Sequence, residues 1–423
     1  MLASWVVSKG AIVLDVFFNV LPVPAALAKF MAHWSPELTP TEDVVLTAAL
    51  DRVLARTVLA GEDVPPFDRS TVDGFAVCAA DTFGASESLP ALLTVVEDIH
   101  MGQTPKQKLS GGETSRIATG GMLPPGADAA AMVEYTEMID DQTVALTKPV
   151  APGENVIRRG EDIRSSAQLL PQGQRLRPAD IGALAAVGQT RVLVRQAPKV
   201  GIISTGDEIV APDVTPAPGQ IRDINSYSLG AAVQAAGGEP LYLGLAKDEF
   251  PAVYTAVQDS LASCDVVVLS GGSSVGARDV AAKVLAELGP PGVLVHGVAL
   301  RPGKPLIVAV CQGKPIFGLP GHPASALITF DLFVRPAIQR LLGLNFGVKP
   351  TVRACLTRSL ASTAGREDHV RVRLKAGEQG LVAEPVLGKS GLITTLVQAD
   401  GTVIIPSGHE GLSAGEEVEV YLI

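Results

Sequence analysis

From residue 199 onward, short apolar runs alternate with stretches of helical spacing. Residues 200–204 form an apolar run that ends in Thr205-Gly206-Asp207-Glu208. Residues 225–237 carry helical periodicity and finish on a glycine, the residue that best closes a helix in the left-handed conformation. The pattern then repeats. It predicts a strand over 241–246 ending in Lys247-Asp248, a helix over 250–263, and a buried-type strand over 265–269 ending in Ser270-Gly271-Gly272. A helix over 277–288, strands over 293–299 and 305–310, and a closing helix over 331–342 follow. Such alternation calls for a parallel, helix-flanked α/β sheet. Sites in these sheets lie beyond the carboxyl ends of the strands, and three of those ends carry polar, glycine-bearing or acidic segments.

The flanks read differently. After residue 350 the pattern becomes period two, with strands expected over 352–356, 369–374, 381–385, 402–405 and 417–422, which fits a small C-terminal β-barrel. Residues 24–34 read as a helix, and 41–54 as a second one, capped by Thr41 with Glu42 and Asp43 in its first turn. Residues 81–150 alternate β-like runs with Gly/Pro turns. The expected division is an N-terminal extension (1–22), a discontinuous linker domain (23–62 and 150–196), a small β-rich domain (63–149), an α/β domain (197–346) and a C-terminal barrel (347–423).

Ahead of these elements, residues 11–31 are mostly apolar, and Ala26-Leu27-Ala28 imitates a signal cleavage site. Asp15 interrupts the run, and Pro22 and Pro24 break any helix through it. The expected reading is therefore an extension followed by a helix near Pro24, with neither a secretory signal nor a membrane span.

At 423 residues the chain exceeds one ordinary core. Its net charge of -10 argues against nucleic-acid binding through a basic face. Four cysteines lie far apart without a CxxC pair, and six histidines show no metal spacing. Scattered single cysteines suit a reducing cytoplasm.

The candidate chemistry is oxygen- and cation-based. Ser270-Gly271-Gly272-Ser273-Ser274-Val275-Gly276 joins a strand to a helix and could cradle an anion on its N–H groups and hydroxyls, or be a plain glycine-rich turn. Arg301-Pro302-Gly303-Lys304-Pro305 puts a planar cation and a point charge on one stiff turn. Gly318-Leu319-Pro320-Gly321-His322-Pro323-Ala324-Ser325 leads into a helix, with the N–H groups of Gly321, His322 and Ala324 as candidate donors. Asp73, Glu208, Asp248 and Asp279 are hard carboxylate ligands suited to magnesium, or else caps and surface acids. Thr119 lies on a long turn, where a hydroxyl either meets an oxyanion or caps its own loop.

The segments PPFDRSTVDGFAV, ATGGMLPPGADAAAMVE, RRGEDI, ISTGDEI, LSGGSSVGARD, RPGKP and GLPGHPASA, taken together and in this order, resemble the molybdopterin molybdenumtransferase family, called MoeA in bacteria and the C-terminal part of gephyrin in animals. The resemblance runs from about Pro24 to the end. It implies a four-domain homodimer that transfers molybdate into adenylylated molybdopterin, with release of AMP and help from Mg²⁺. It further implies that Asp73 and Thr119 of one subunit face Glu208, Asp248 and Asp279 of the other. Arg301 and Lys304 would hold the oxyanion or pterin phosphate, and Pro320 and Pro323 would shape the adjoining turn. Thr205, Gly206, Ser270, Gly271, Gly272, Ser273, Ser274, Gly276, Gly321 and Ser325 would contact substrate. The adenylyltransferase that supplies the substrate is an expected partner. The chain departs from the family pattern at Arg301, where lysine is usual, and at His322, where asparagine is common. Two other readings stand beside this one: a pterin adenylyltransferase, whose loop is usually of GGTG type where this chain has GGSSVG, and a gephyrin-like scaffold.

Overall fold

The structure, a computed structural model, describes residues 20–271, 275–344, 349–378 and 380–423, with backbone alone at 275–279. Most of the expected N-terminal extension therefore lies outside the described residues. The chain divides into two compact units, residues 43–194 and residues 1–42 with 195–423. Among the described residues no helix is long and apolar enough to cross a membrane.

The 43–194 unit is built on a six-stranded sheet in which Gly74–Val77, one strand in from an edge, lies between Glu113–Ile117 and Ala129–Met132. That strand is buried on both faces. Phe75 and Val77 join Leu93, Val144 and Leu146 on one side, while Ala76 meets Ile99, Ile117 and Leu123 on the other, as a side-chain period of two requires. Gly74, at φ 154°, passes so close to the Ala131 carbonyl that any Cβ would collide with it. A separate core gathers Leu54, Leu176, Leu184, Val192 and Val194.

The helix expected over 41–54 does not form. Thr41–Val45 is a strand, Leu46–Ala48 a single 3₁₀ turn, and Asp51 takes φ 63°. Asp43, expected in a first helical turn, pairs with Arg191 at 2.7 Å, and the Leu46 N–H donates to the Thr190 carbonyl at 2.9 Å. Distant partners satisfy this backbone, and β-branched Thr41, Val44 and Val45 accept the extended form readily.

In the other unit, helix α1 (Val23–His33) begins with prolines that fix its first turn and lays Val23, Ala26 and Phe30 inward. Phe30 is fully buried, stacked on Trp34 at 5.1 Å and edge-on to Phe317 at 5.4 Å. Phe30→Ala should cost about 3–5 kcal/mol, the range for emptying an aromatic core position, and chemical denaturation will measure it.

The central sheet of this unit contains β1 (Lys199–Thr205), β2 (Glu239–Ala246), β3 (Val266–Gly271), β4 (Pro291–His296), β5 (Ile307–Cys311) and β6 (Lys314–Leu319), in the order β2-β1-β3-β6-β5-β4. Helices α2 (Asn225–Ala236), α3 (Phe250–Ser263), α4 (Val275–Glu287), α5 (Pro323–Thr329) and α6 (Arg335–Leu341) accompany it. Gly237 closes α2 at φ 94°. Strands β2, β1 and β3 are parallel, as the alternation predicts, and β6, which the sequence did not mark as a strand, is parallel to them; β4 and β5 run antiparallel to their neighbours. The β5–β6 link is the reason: Gln312-Gly313, with both residues at positive φ, makes a hairpin too short for a crossover helix.

Five C-terminal strands close on themselves. These are β7 (Thr351–Leu356), β8 (Glu367–Gly377), β9 (Gly380–Pro385), β10 (Gly401–Ile405) and β11 (Glu417–Leu422), and the ring runs β8-β9-β7-β11-β10 and back to β8. Val372, Ala383, Val403, Ile405 and Val420 fill it. A short parallel bridge sets Leu300 and Arg301 beside Glu367 and Asp368 of β8, joining the RPGKP turn to the barrel.

Candidate active site

The carboxyl ends of β1, β2 and β3 converge. Thr205 ends β1, and its hydroxyl bonds to the Asp248 carboxylate just past β2. Burial pushes the Asp248 carboxyl above its ordinary value, and the negative charges of Asp207 and Glu208 add to the rise against the opposing Thr205 bond. Thr205, Asp248, Gly271 and Pro305 line one small crevice. Gly206 and Gly271 take φ of 148° and 151°, and a Cβ on Gly271 would strike the Thr205 carbonyl, so both strands end where only glycine fits. Among the described residues no three His, Cys, Asp or Glu side chains converge as a metal cluster. Gly272, Ser273 and Ser274 lie outside the described residues. Gly276 and Asp279 lie on α4, and the Asp279 side chain is not among those described.

Ser270 is buried, and its hydroxyl accepts from Asn225 Nδ2 at 2.8 Å; the same nitrogen donates to the Gly321 carbonyl at 2.8 Å. Asn225, read from the sequence only as the start of a helix, thus ties the end of β3 to the end of β6. The expected donor Ala324 is occupied, because its N–H bonds to the Ser390 carbonyl at 3.1 Å. Pro323 is buried at the start of α5 and fixes that turn.

Arg301, Lys304, Pro320, Gly321 and Ser325 share the wall of a cavity of about 730 Å³ with Arg366, which the sequence did not single out. Arg301 donates to Asp368 Oδ2 at 3.2 Å, and Arg366 to Asp368 Oδ1 at 2.9 Å. One buried carboxylate therefore aims two guanidinium groups. Arg301 and Ser390 also border a second cavity of about 260 Å³, which reaches Arg371 on β8. Arg371 is only 8% exposed. Its Nη2 donates to the Gly388 carbonyl at 2.9 Å, while Nε and Nη1 have no partner among the described residues. Burial lowers its pKa from the ordinary arginine value. A buried guanidinium with two unused donors is costly by itself and is poised for an anion.

In the 43–194 unit, Asp73 is exposed and accepts the Thr119 N–H at 2.7 Å. The structure joins these two residues to each other directly.

A strand-end site of carboxylates beside a cation-lined cavity defines a protein that handles anionic ligands. The chain matches the MoeA N-terminal region (domain I and II) over residues 21–188, the probable molybdopterin binding domain over 201–340 and the MoeA C-terminal region (domain IV) over 353–423. It is 38% identical to the molybdopterin molybdenumtransferase of a Nostoc species, over 95% of this chain and 94% of that one. The same comparison with the Bacillus subtilis molybdopterin molybdenumtransferase gives 35%, again over 95% and 94%. The crystal structure of a molybdopterin biosynthesis MoeA protein from Pyrococcus horikoshii superposes with a TM-score of 0.83 at 31% identity, over 96% of this chain and all of that one. The chain belongs to the molybdopterin molybdenumtransferase family, enzymes of molybdenum cofactor biosynthesis.

Proposed function

We propose that this protein transfers molybdate into adenylylated molybdopterin and releases AMP, yielding molybdenum cofactor. The observation that carries the reading is Arg371, a buried guanidinium with two unpartnered nitrogens beside Arg301 and Lys389. A tetrahedral oxyanion supplies the acceptors that those nitrogens lack. Lys304 and Arg366 extend the positive wall toward a pterin phosphate.

Molybdate and a phosphoanhydride repel each other, so the site must first offset Coulomb repulsion. Arg301, Lys304, Arg366 and Arg371 do this with charges already fixed in place, at no reorganisation cost during reaction. Glu208 and Asp248, with Asp279, would hold Mg²⁺. The crowding that raises the Asp248 carboxyl is what a hard cation relieves, and magnesium needs only one or two carboxylates alongside substrate phosphates and water. When bound, the ion would polarise the phosphoanhydride. Thr205 orients Asp248 toward the crevice, and the protein offers no thiolate cluster because the substrate's dithiolene takes the molybdenum.

Asp73 and Thr119 belong to this reading as residues lent by a second subunit, which makes the enzyme a homodimer with shared sites in the cytoplasm. It receives its substrate from an adenylyltransferase. Two measurements test the reading: rescue of a molybdoenzyme at low molybdate in cells lacking the activity, and release of AMP from adenylylated molybdopterin without ATP. Consumption of ATP would instead make the protein an adenylyltransferase.

A further inference from the structure

His322 caps α5 and is exposed on the wall of the 730 Å³ cavity, together with Arg301, Lys304 and Arg366. Its Nδ1 lies 3.0 Å from the Ser390 hydroxyl, where either atom is able to donate. Ser390 borders both cavities. Its backbone is held in place, because its carbonyl accepts the Ala324 N–H two residues past His322. What remains adjustable is the direction of the Ser390 hydroxyl proton.

We propose that His322 is a positioning residue that couples proton uptake to oxyanion binding by turning the Ser390 hydroxyl. This rests on the oxyanion reading above. A neutral ring with bare Nδ1 accepts the only proton Ser390 has, so Ser390 shows the cavity nothing but lone pairs, which repel an anion. A doubly protonated ring donates from Nδ1 to Ser390 Oγ and frees the hydroxyl proton to point at the anion. One added proton thus supplies both a positive charge and a hydrogen-bond donor.

Arg301, Lys304 and Arg366 line the same cavity as the ring, and Lys389 stands next to Ser390. The one acid among them, Asp368, already bonds to Arg301 and Arg366. A bound dianion favours the doubly protonated ring over the neutral one. By linkage, the proton tightens the anion by the same factor.

Calorimetric titration of the full-length protein with sodium molybdate tests this. Molybdate is preferred to phosphate because phosphate groups themselves titrate near about pH 6. Affinity should fall at least about fivefold from about pH 6.5 to about pH 8.5, spanning the upper part of the range over which histidines change charge. Heats in two buffers of different ionisation enthalpy should show uptake of up to about one proton per molybdate. His322→Asn still bonds to Ser390 but cannot charge, so its affinity should be flat with pH and its buffer dependence should vanish. Equal pH slopes in the two proteins, or molybdate binding by the wild type without proton uptake, would overturn the proposal. No molybdate binding at all would overturn the oxyanion reading first, and this proposal with it.

Discussion

Arg371→Met lowers molybdate affinity by about 100-fold and leaves the melting temperature unchanged or raised. The two halves of this expectation have one cause. Arg371 is 8% exposed, with Nε and Nη1 unpartnered and a single bond to the Gly388 carbonyl. In the ligand-free protein it carries a desolvation cost that the fold does not repay, and replacing buried charge by an apolar chain of similar volume is often neutral or stabilising. In the complex the same guanidinium meets its acceptors. Losing one partner of a buried charged pair costs about 2–5 kcal/mol, and about 2.8 kcal/mol is 100-fold in affinity. Calorimetric titration with molybdate, paired with a thermal melt, reads both halves. A large loss of stability with affinity intact would make Arg371 a structural residue and remove the main support for the proposed function.

Asp248→Asn raises the melting temperature at neutral pH and slows AMP release by about 100-fold or more. Burial, with Asp207 and Glu208 nearby, holds the folded Asp248 carboxyl above its unfolded value of 3.8. Between those two values the folded state binds more protons than the unfolded state. Stability therefore falls as pH rises through that window, and above it the whole cost is present. Asparagine removes the cost, so the variant gains most at neutral pH and its advantage disappears below about pH 3.8, the ordinary carboxyl value. Glu208→Gln should stabilise by the same logic, since it removes one of the neighbouring charges. A destabilised Asp248→Asn protein with an undiminished rate would contradict both the electrostatics and the role.

Much of this architecture is written in local patterns. The strands of the barrel and the β–α alternation from residue 199 onward follow from periods of 2 and 3.6, which depend on burial alone. Helix α3 was legible to the residue, because it is amphipathic and Pro251 opens its first turn. Two kinds of feature were not legible. The strand at Thr41–Val45 carries a helix-start signature, and its partners lie some 150 residues away, beyond any local window. The antiparallel β5 read as an ordinary strand over 305–310, and β6 was not read as a strand at all, with only Gln312-Gly313 to mark a hairpin.

The candidate site divides in the same way. Thr205, Asp248, Arg301 and Lys304 stand on turns where polar residues interrupt the pattern, so they were visible. Asp368, Arg371 and Asn225 do their work through distant partners. A signal did exist for Arg371. It falls between Val370 and Val372 in a strand whose valine face fills the barrel, and a charged residue at a position that proves buried needs a partner.

The ring of five strands has one more consequence. A strand at a sheet's edge can slip along its single neighbour, but β8 is gripped on both sides, by β9 over residues 372–377 and by β10 over 368–372. Shifting it by one residue would unzip both seams and turn its own Val370 and Val372 outward. The guanidinium of Arg371 therefore stands at a fixed height on the barrel wall.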